Sequence, residues 1–178
     1  MSRLHTLTQD QATGQTAELF SAIKAAVGKL PNAYAVIGSN SPAILAQALQ
    51  HNAALKKGSL SAQELEAINL AVSEATGCDY CLAAHTLMAK MAGIGAAEAK
   101  QLRQGGLPSH PKLDALAGFA RQLVTSSGTL PAERLAELRA AGFSDQQVVE
   151  ALSAISAIYF TNLINRVNDT VLDFPRAE

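Results

Sequence analysis

Apolar positions along this chain recur every three to four residues, in blocks of helical length, and runs of alternating β-branched residues are hard to find. Helix punctuation separates the blocks. The pattern predicts a first helix over about Thr13–Val27, stopped by Gly28. Leu30-Pro31-Asn32 reads as a turn, with a short helix following to Ile37. Ser41-Pro42 opens another helix, which ends near Lys56-Lys57-Gly58; proline suits the first helical position and late positive charge suits the dipole. Ser61-Ala62-Gln63-Glu64 is a capping box, and its helix should run to about Ala75 and stop at Gly77. Cys78-Asp79 begins the next, which ends near Ala92-Gly93. Further helices are expected over Ala96–Gln104, from a start with Pro111 early in it to near Ser126-Ser127-Gly128, and from Pro131 until Gly142 closes it. A second capping box, Ser144 to Gln147, starts a long helix to about Asn168.

The expected fold is therefore all-α: eight or so helices, no strands, and no linker rich enough in Pro, Gly or Ser to divide residues 1–178 into independent domains. Gly58-Ser59-Leu60-Ser61 with Glu64 resembles Gly142-Phe143-Ser144 with Gln147. The likeness reads more simply as two ordinary caps than as a duplication. In a duplication, Ile164 and Asn168 would stand where Cys81 and His85 stand.

Composition sharpens the picture. The chain has 178 residues, 48% of them hydrophobic, with much alanine, 4% aromatics and no tryptophan, which suits closely packed helices. A net charge of −1 without a basic block gives no footprint for nucleic acid or an anionic membrane. The opening MSRLHTLTQDQ has no long apolar run, so no signal peptide is expected. Ala151–Phe160 is too short to span a membrane and reads as a core helix, and the expected compartment is the cytoplasm.

Two cysteines remain, three residues apart, and such a pair in a cytoplasmic chain points to redox chemistry or metal binding. Cys78 and Cys81 share a helix face, and His85 lies one turn beyond Cys81 on the same stripe. A helix N-terminus or a neighbouring imidazolium lowers a thiol pKa, and only the thiolate attacks peroxides or disulfides. With the histidine one turn away, the geometry favours Cys81 as nucleophile and Cys78 as its resolving partner. If the helices flanking Gly77 form an antiparallel hairpin, Glu66 lies roughly 16 Å and His85 roughly 12 Å from the turn, at about 1.5 Å per residue. A Glu66–His85 contact is then feasible and would favour the charged imidazole. Glu66 shares its helix face with Asn69 and Ser73.

The span Leu65-Glu66-Ala67-Ile68-Asn69-Leu70-Ala71-Val72-Ser73, then Gly77-Cys78-Asp79-Tyr80-Cys81 and Ala84-His85, resembles the alkyl hydroperoxidase D family of the carboxymuconolactone decarboxylase superfamily. The motif core covers about residues 61–93. The resemblance implies a multi-helix bundle with the Cys-x-x-Cys at the N-terminus of a central helix, assembled into trimers or hexamers. It implies hydroperoxide reduction of the peroxiredoxin type, with no cofactor. Cys81 would attack the peroxide and Cys78 would close the disulfide. His85 and Glu66 would relay protons, and a dithiol donor such as a lipoylated protein would restore the thiols. The founding peroxidases carry a histidine where this chain has Tyr80.

Two other readings stay open. One is a thiol-disulfide oxidoreductase or redox sensor with little peroxidase activity. The other is a helical assembly protein with a structural zinc on Cys78, Cys81, His85 and a carboxylate. Haem attachment needs histidine directly after the second cysteine, where Leu82 stands. His5, His51 and His110 show no constellation. Asn162, Asn165 and Arg166 read as packing or subunit-contact residues, and Met88 and Met91 as core or interface filling.

Overall fold

A computed structural model describes residues 2–177, and among them there are nine helices and no strand. In chain order they are α1 (Gly14–Val27), α2 (Asn32–Asn40), α3 (Pro42–Lys56), α4 (Ala62–Thr76), α5 (Asp79–Met91), α6 (Ala96–Gln104), α7 (Pro111–Thr125), α8 (Ala132–Ala140) and α9 (Asp145–Asn168).

The caps form as the sequence dictates. Ser61 Oγ accepts from the Glu64 N–H at 3.2 Å, and Glu64 Oε2 accepts from the Ser61 N–H at 2.7 Å. The Ser144–Gln147 pair repeats this at the head of α9. Ser41 Oγ caps α3, with Pro42 in its first turn. α2 runs three residues beyond the expected Ile37. Gly38 lets it continue, because a Cβ there would meet the Phe20 ring at 2.5 Å.

α4 packs against α5, α6, α7 and α9. Its residues Ala67, Ile68, Leu70, Ala71, Val72 and Ser73 are all fully buried, because two hydrophobic clusters lie on opposite sides of it. One joins Ile68 and Val72 to α5, α7 and α9, and it includes Cys78, Tyr80 and Cys81. The other joins Ala67, Leu70 and Ala71 to α6 and α7. A third cluster, around Phe20 and Leu45, holds α1 to α3 together and reaches α9 through Phe160 and Ile164.

α9 is longer than the apolar run Ala151–Phe160 suggested. Among the described residues it is the one helix that is long and apolar enough, by length and composition alone, to cross a membrane. Its inward row is not purely apolar: Asn162, Asn165 and Asn168 are all buried against the protein. After α9 the chain folds back towards α2. Asp173 Oδ2 pairs with Lys29 Nζ at 3.2 Å, and Asn32 Nδ2 donates to the Val171 carbonyl at 2.9 Å.

Candidate active site

The site grows out of the α4–α5 hairpin. α4 cannot continue past Thr76, because Gly77 takes the left-handed conformation at φ 66° and turns the chain back. The next residue, Cys78, is the N-cap of α5, and its Sγ accepts the Cys81 N–H at 3.4 Å. The two helices run side by side, which brings Glu66 to His85. His85 Nδ1 and Glu66 Oε2 are 2.8 Å apart, both largely shielded from solvent. The other carboxylate oxygen, Oε1, accepts from Asn69 Nδ2 at 3.2 Å. Glu66 is thereby fixed on both sides. With Nδ1 committed to Glu66, Nε2 is the imidazole nitrogen left for chemistry.

The two thiols are buried, and each shifts the acidity of the other. The neighbouring Cys81 side chain holds the Cys78 thiol below its ordinary range. Burial opposes the shift, the Cys81 N–H and the charge of His85 reinforce it, and Asp79 works against it. Cys81 is pushed up, first by the Cys78 side chain, then by burial and the charge on Cys78; Asn165 and Thr161 pull weakly the other way. These directions run against the expectation that the nearby histidine makes Cys81 the readier thiolate. The capping N–H of Cys81 goes to the Cys78 sulfur.

Access runs opposite to acidity. A cavity of about 190 Å³ is walled by α3, α4, α5, α9 and the C-terminal segment, and it reaches Cys81 but not Cys78. Glu66, Asn69, His85 and Asn165 are among its polar lining, with Asn52, Lys56 and Thr161, while Leu55, Leu65, Met88, Ile158 and Phe174 are apolar.

Tyr80, in the position of the family histidine, does not titrate near neutrality. Burial pushes its phenol well above the ordinary value. Its hydroxyl accepts the Ala33 N–H at 3.2 Å, and its ring meets Phe174 edge-on at 5.6 Å. It joins α5 to α2 and to the C-terminal segment.

Glu66, Cys78, Cys81 and His85 thus come together. The other histidines lie elsewhere: His51 pairs with Ser153 and His110 with Glu98. Met88 lines the cavity, Met91 is exposed, and Arg166 lies on the outer face of α9. No group of three His, Cys, Asp or Glu side chains that could hold a metal occurs among the described residues. Sequence reasoning missed Asn165, whose Nδ2 donates to Cys81 Sγ at 3.3 Å. It also missed Phe174, in a segment with no helical pattern to place it. For Asn165 the only signal was a buried-face position on α9, which packing explains equally well.

Residues 42–110 match the model of the carboxymuconolactone decarboxylase family. The segment spans α3 to α6 and holds Glu66, both cysteines and His85. No curated protein matches the chain. Among solved structures, an alkylhydroperoxidase AhpD core, a peroxidase-related protein from Ralstonia eutropha JMP134, superposes with a TM-score of 0.84 at 20% identity, covering 97% of this chain and 92% of that one. The debrominase Bmp8 in complex with 2,3,4-tribromopyrrole gives a TM-score of 0.81 at 19% identity, covering 97% and 92%. A peroxidase-related protein from Silicibacter sp. TM1040 gives 0.76 at 19% identity, covering 96% and 94%. Over its length the chain shares the all-α fold of the alkylhydroperoxidase AhpD core.

Proposed function

We propose that this protein is a thiol-dependent oxidoreductase that reduces small organic hydroperoxides through the Cys78/Cys81 couple. The observation that carries the reading is the opening of the cavity onto Cys81, with the Glu66-bound His85 in the same wall and the Cys78 sulfur on the Cys81 N–H. Cys81 passes its proton to Cys78 and attacks the terminal oxygen of the hydroperoxide. The O–O bond breaks, the alkoxide leaves as alcohol with a proton delivered from the His85 side, and Cys81 becomes a sulfenic acid. The Cys78 sulfur then attacks Cys81, forming the disulfide and releasing water. Two thiols lose two electrons in all, and the hydroperoxide is reduced to an alcohol and water.

A cavity this narrow favours a slender dithiol, such as a lipoyl arm, as the reductant that restores the thiols. It disfavours exchange with bulky protein disulfides, because Cys81 is only 3% exposed. The likeness to a debrominase and the apolar lining support a second reading, reductive removal of bromine from a small aromatic ring. We also propose self-association. Val149, Leu152, Tyr159, Leu163 and Val167 form an exposed apolar row along α9, larger than scattered surface residues account for.

The test is turnover of tert-butyl hydroperoxide with dihydrolipoamide as reductant, alongside the same assay with 2,3,4-tribromopyrrole. Hydroperoxide-dependent oxidation of the dithiol, abolished in Cys81→Ser and in Cys78→Ser, supports the peroxidase reading. Debromination without peroxide turnover replaces it with the second reading, and inertness towards both discards the two together.

A further inference from the structure

The buried face of α9 carries three asparagines three residues apart, Asn162, Asn165 and Asn168. Two of them are explained by architecture. Asn162 Oδ1 accepts from Ser73 Oγ at 3.3 Å and its Nδ2 donates to Thr76 Oγ1 at 2.8 Å, which fastens α9 to the end of α4. Asn168 Oδ1 accepts the N–H groups of Arg3 and Leu4, and its Nδ2 donates to Ser2 and Thr170, which binds the N-terminal segment to the end of α9.

Asn165 differs. Its Nδ2 donates to Cys81 Sγ at 3.3 Å, but its Oδ1 is buried and has no hydrogen-bond partner. The residue is 4% exposed and lines the cavity. A buried carbonyl left unpaired is costly, and an apolar side chain of the same shape would avoid the cost. A polar residue held there at the reacting sulfur points to a ligand with a hydroxyl to donate.

We propose that Asn165 is a substrate-binding residue whose Oδ1 accepts the O–H of the incoming hydroperoxide while its Nδ2 holds the Cys81 sulfur. The proposal rests on the reading of Cys81 as the peroxide-reactive thiol. One rigid, planar amide then positions both reacting partners: the sulfur on its donor and the hydroxyl-bearing oxygen on its acceptor. That oxygen is the one the sulfur attacks. As the S–O bond forms and the O–O bond breaks, the hydrogen stays on the transferred oxygen, so the sulfenic acid remains bonded to Asn165 Oδ1. The alcohol departs with the separately delivered proton. An electrophile with no O–H gains nothing from the Oδ1 contact.

The experiment compares single-turnover rates of Cys81 with tert-butyl hydroperoxide and with methyl methanethiosulfonate, which reacts with the same sulfur but has no hydroxyl. Wild type is set beside Asn165→Leu, Asn165→Ala and Asn165→Asp, each checked for a native unfolding transition. In Asn165→Leu the hydroperoxide rate should fall more than about tenfold and the thiosulfonate rate no more than about threefold. Asn165→Ala should behave alike should the leucine variant fail to fold. Asn165→Asp keeps an acceptor oxygen, so its ratio of the two rates should stay near wild type. Equal losses with both reagents, or an unchanged hydroperoxide rate in Leu and Ala, overturn the proposal. A wild type that reacts with thiosulfonate but not hydroperoxide overturns the peroxidase reading itself, and the proposal with it.

Discussion

At the scale of single residues, the site is a set of side chains each constrained by a partner. Glu66 is tied to Asn69 and His85, Cys78 to the capping N–H of Cys81, and Tyr80 to Ala33. Tyr80 shows how a residue between the cysteines can serve structure. Its folded phenol stays protonated where an unfolded tyrosine ionises, near the ordinary value of 10.0. Above that pH the unfolded state binds fewer protons than the native one, so stability falls as pH rises, by about 1.4 kcal/mol per unit for each such group. Tyr34, also raised by burial, acts in the same sense. Urea unfolding of Tyr80→Phe between pH 10 and 11.5 should therefore show a clearly shallower loss of stability than wild type; an identical slope would mean that the phenol ionises freely in the folded protein. Much of this site was legible in the sequence. The spacing from Cys78 to His85 and the reach from Glu66 across one hairpin are local geometry. Asn165 was not legible, because its approach to Cys81 depends on the rotation of a helix 84 positions away, set by the Asn162 bonds to Ser73 and Thr76.

At the scale of elements, capping chemistry did most of the specifying. Boundaries marked by Ser61, Gly77 and Ser144 fell within a residue of expectation, because each mark satisfies an orphan backbone group or ends the helix. The ends of α2 and the tail after α9 were less readable. α2 continues past Ile37 because Phe20 needs a glycine beneath its ring, and the tail is held by Lys29 and Asn32 rather than by any periodic pattern. Gly77 is the element on which the site turns. A Cβ there would meet nothing within 4 Å, so Gly77→Ala isolates the cost of the left-handed backbone. That cost is about 1 kcal/mol, and the melting temperature should drop by about 2–4 °C. Calorimetry checks this, and a variant as stable as wild type would show that the turn relaxes without strain.

At the scale of the whole molecule, three clusters meet around α4 and α9, and the cavity sits where the α4–α5 hairpin faces α9 and the returning C-terminal segment. An all-α bundle was readable from periodicity. The convergence on one cavity was not, since it joins residues from Pro31 to Phe174. The exposed row on α9 belongs to this scale too. Placing a charge in it with Leu163→Glu should convert an associated protein to monomer in sedimentation velocity, while a wild type that is monomeric at micromolar concentration would contradict self-association.

In the proposed function Cys81, and not Cys78, is the sulfur that meets the hydroperoxide. The most direct test is to treat reduced Cys78→Ser and Cys81→Ser each with one equivalent of tert-butyl hydroperoxide in the presence of dimedone, and to map the adduct by peptide mass. The account predicts a dimedone adduct on Cys81 in Cys78→Ser and none in Cys81→Ser. An adduct on Cys78 in Cys81→Ser, with Cys81 unmodified in Cys78→Ser, would contradict it.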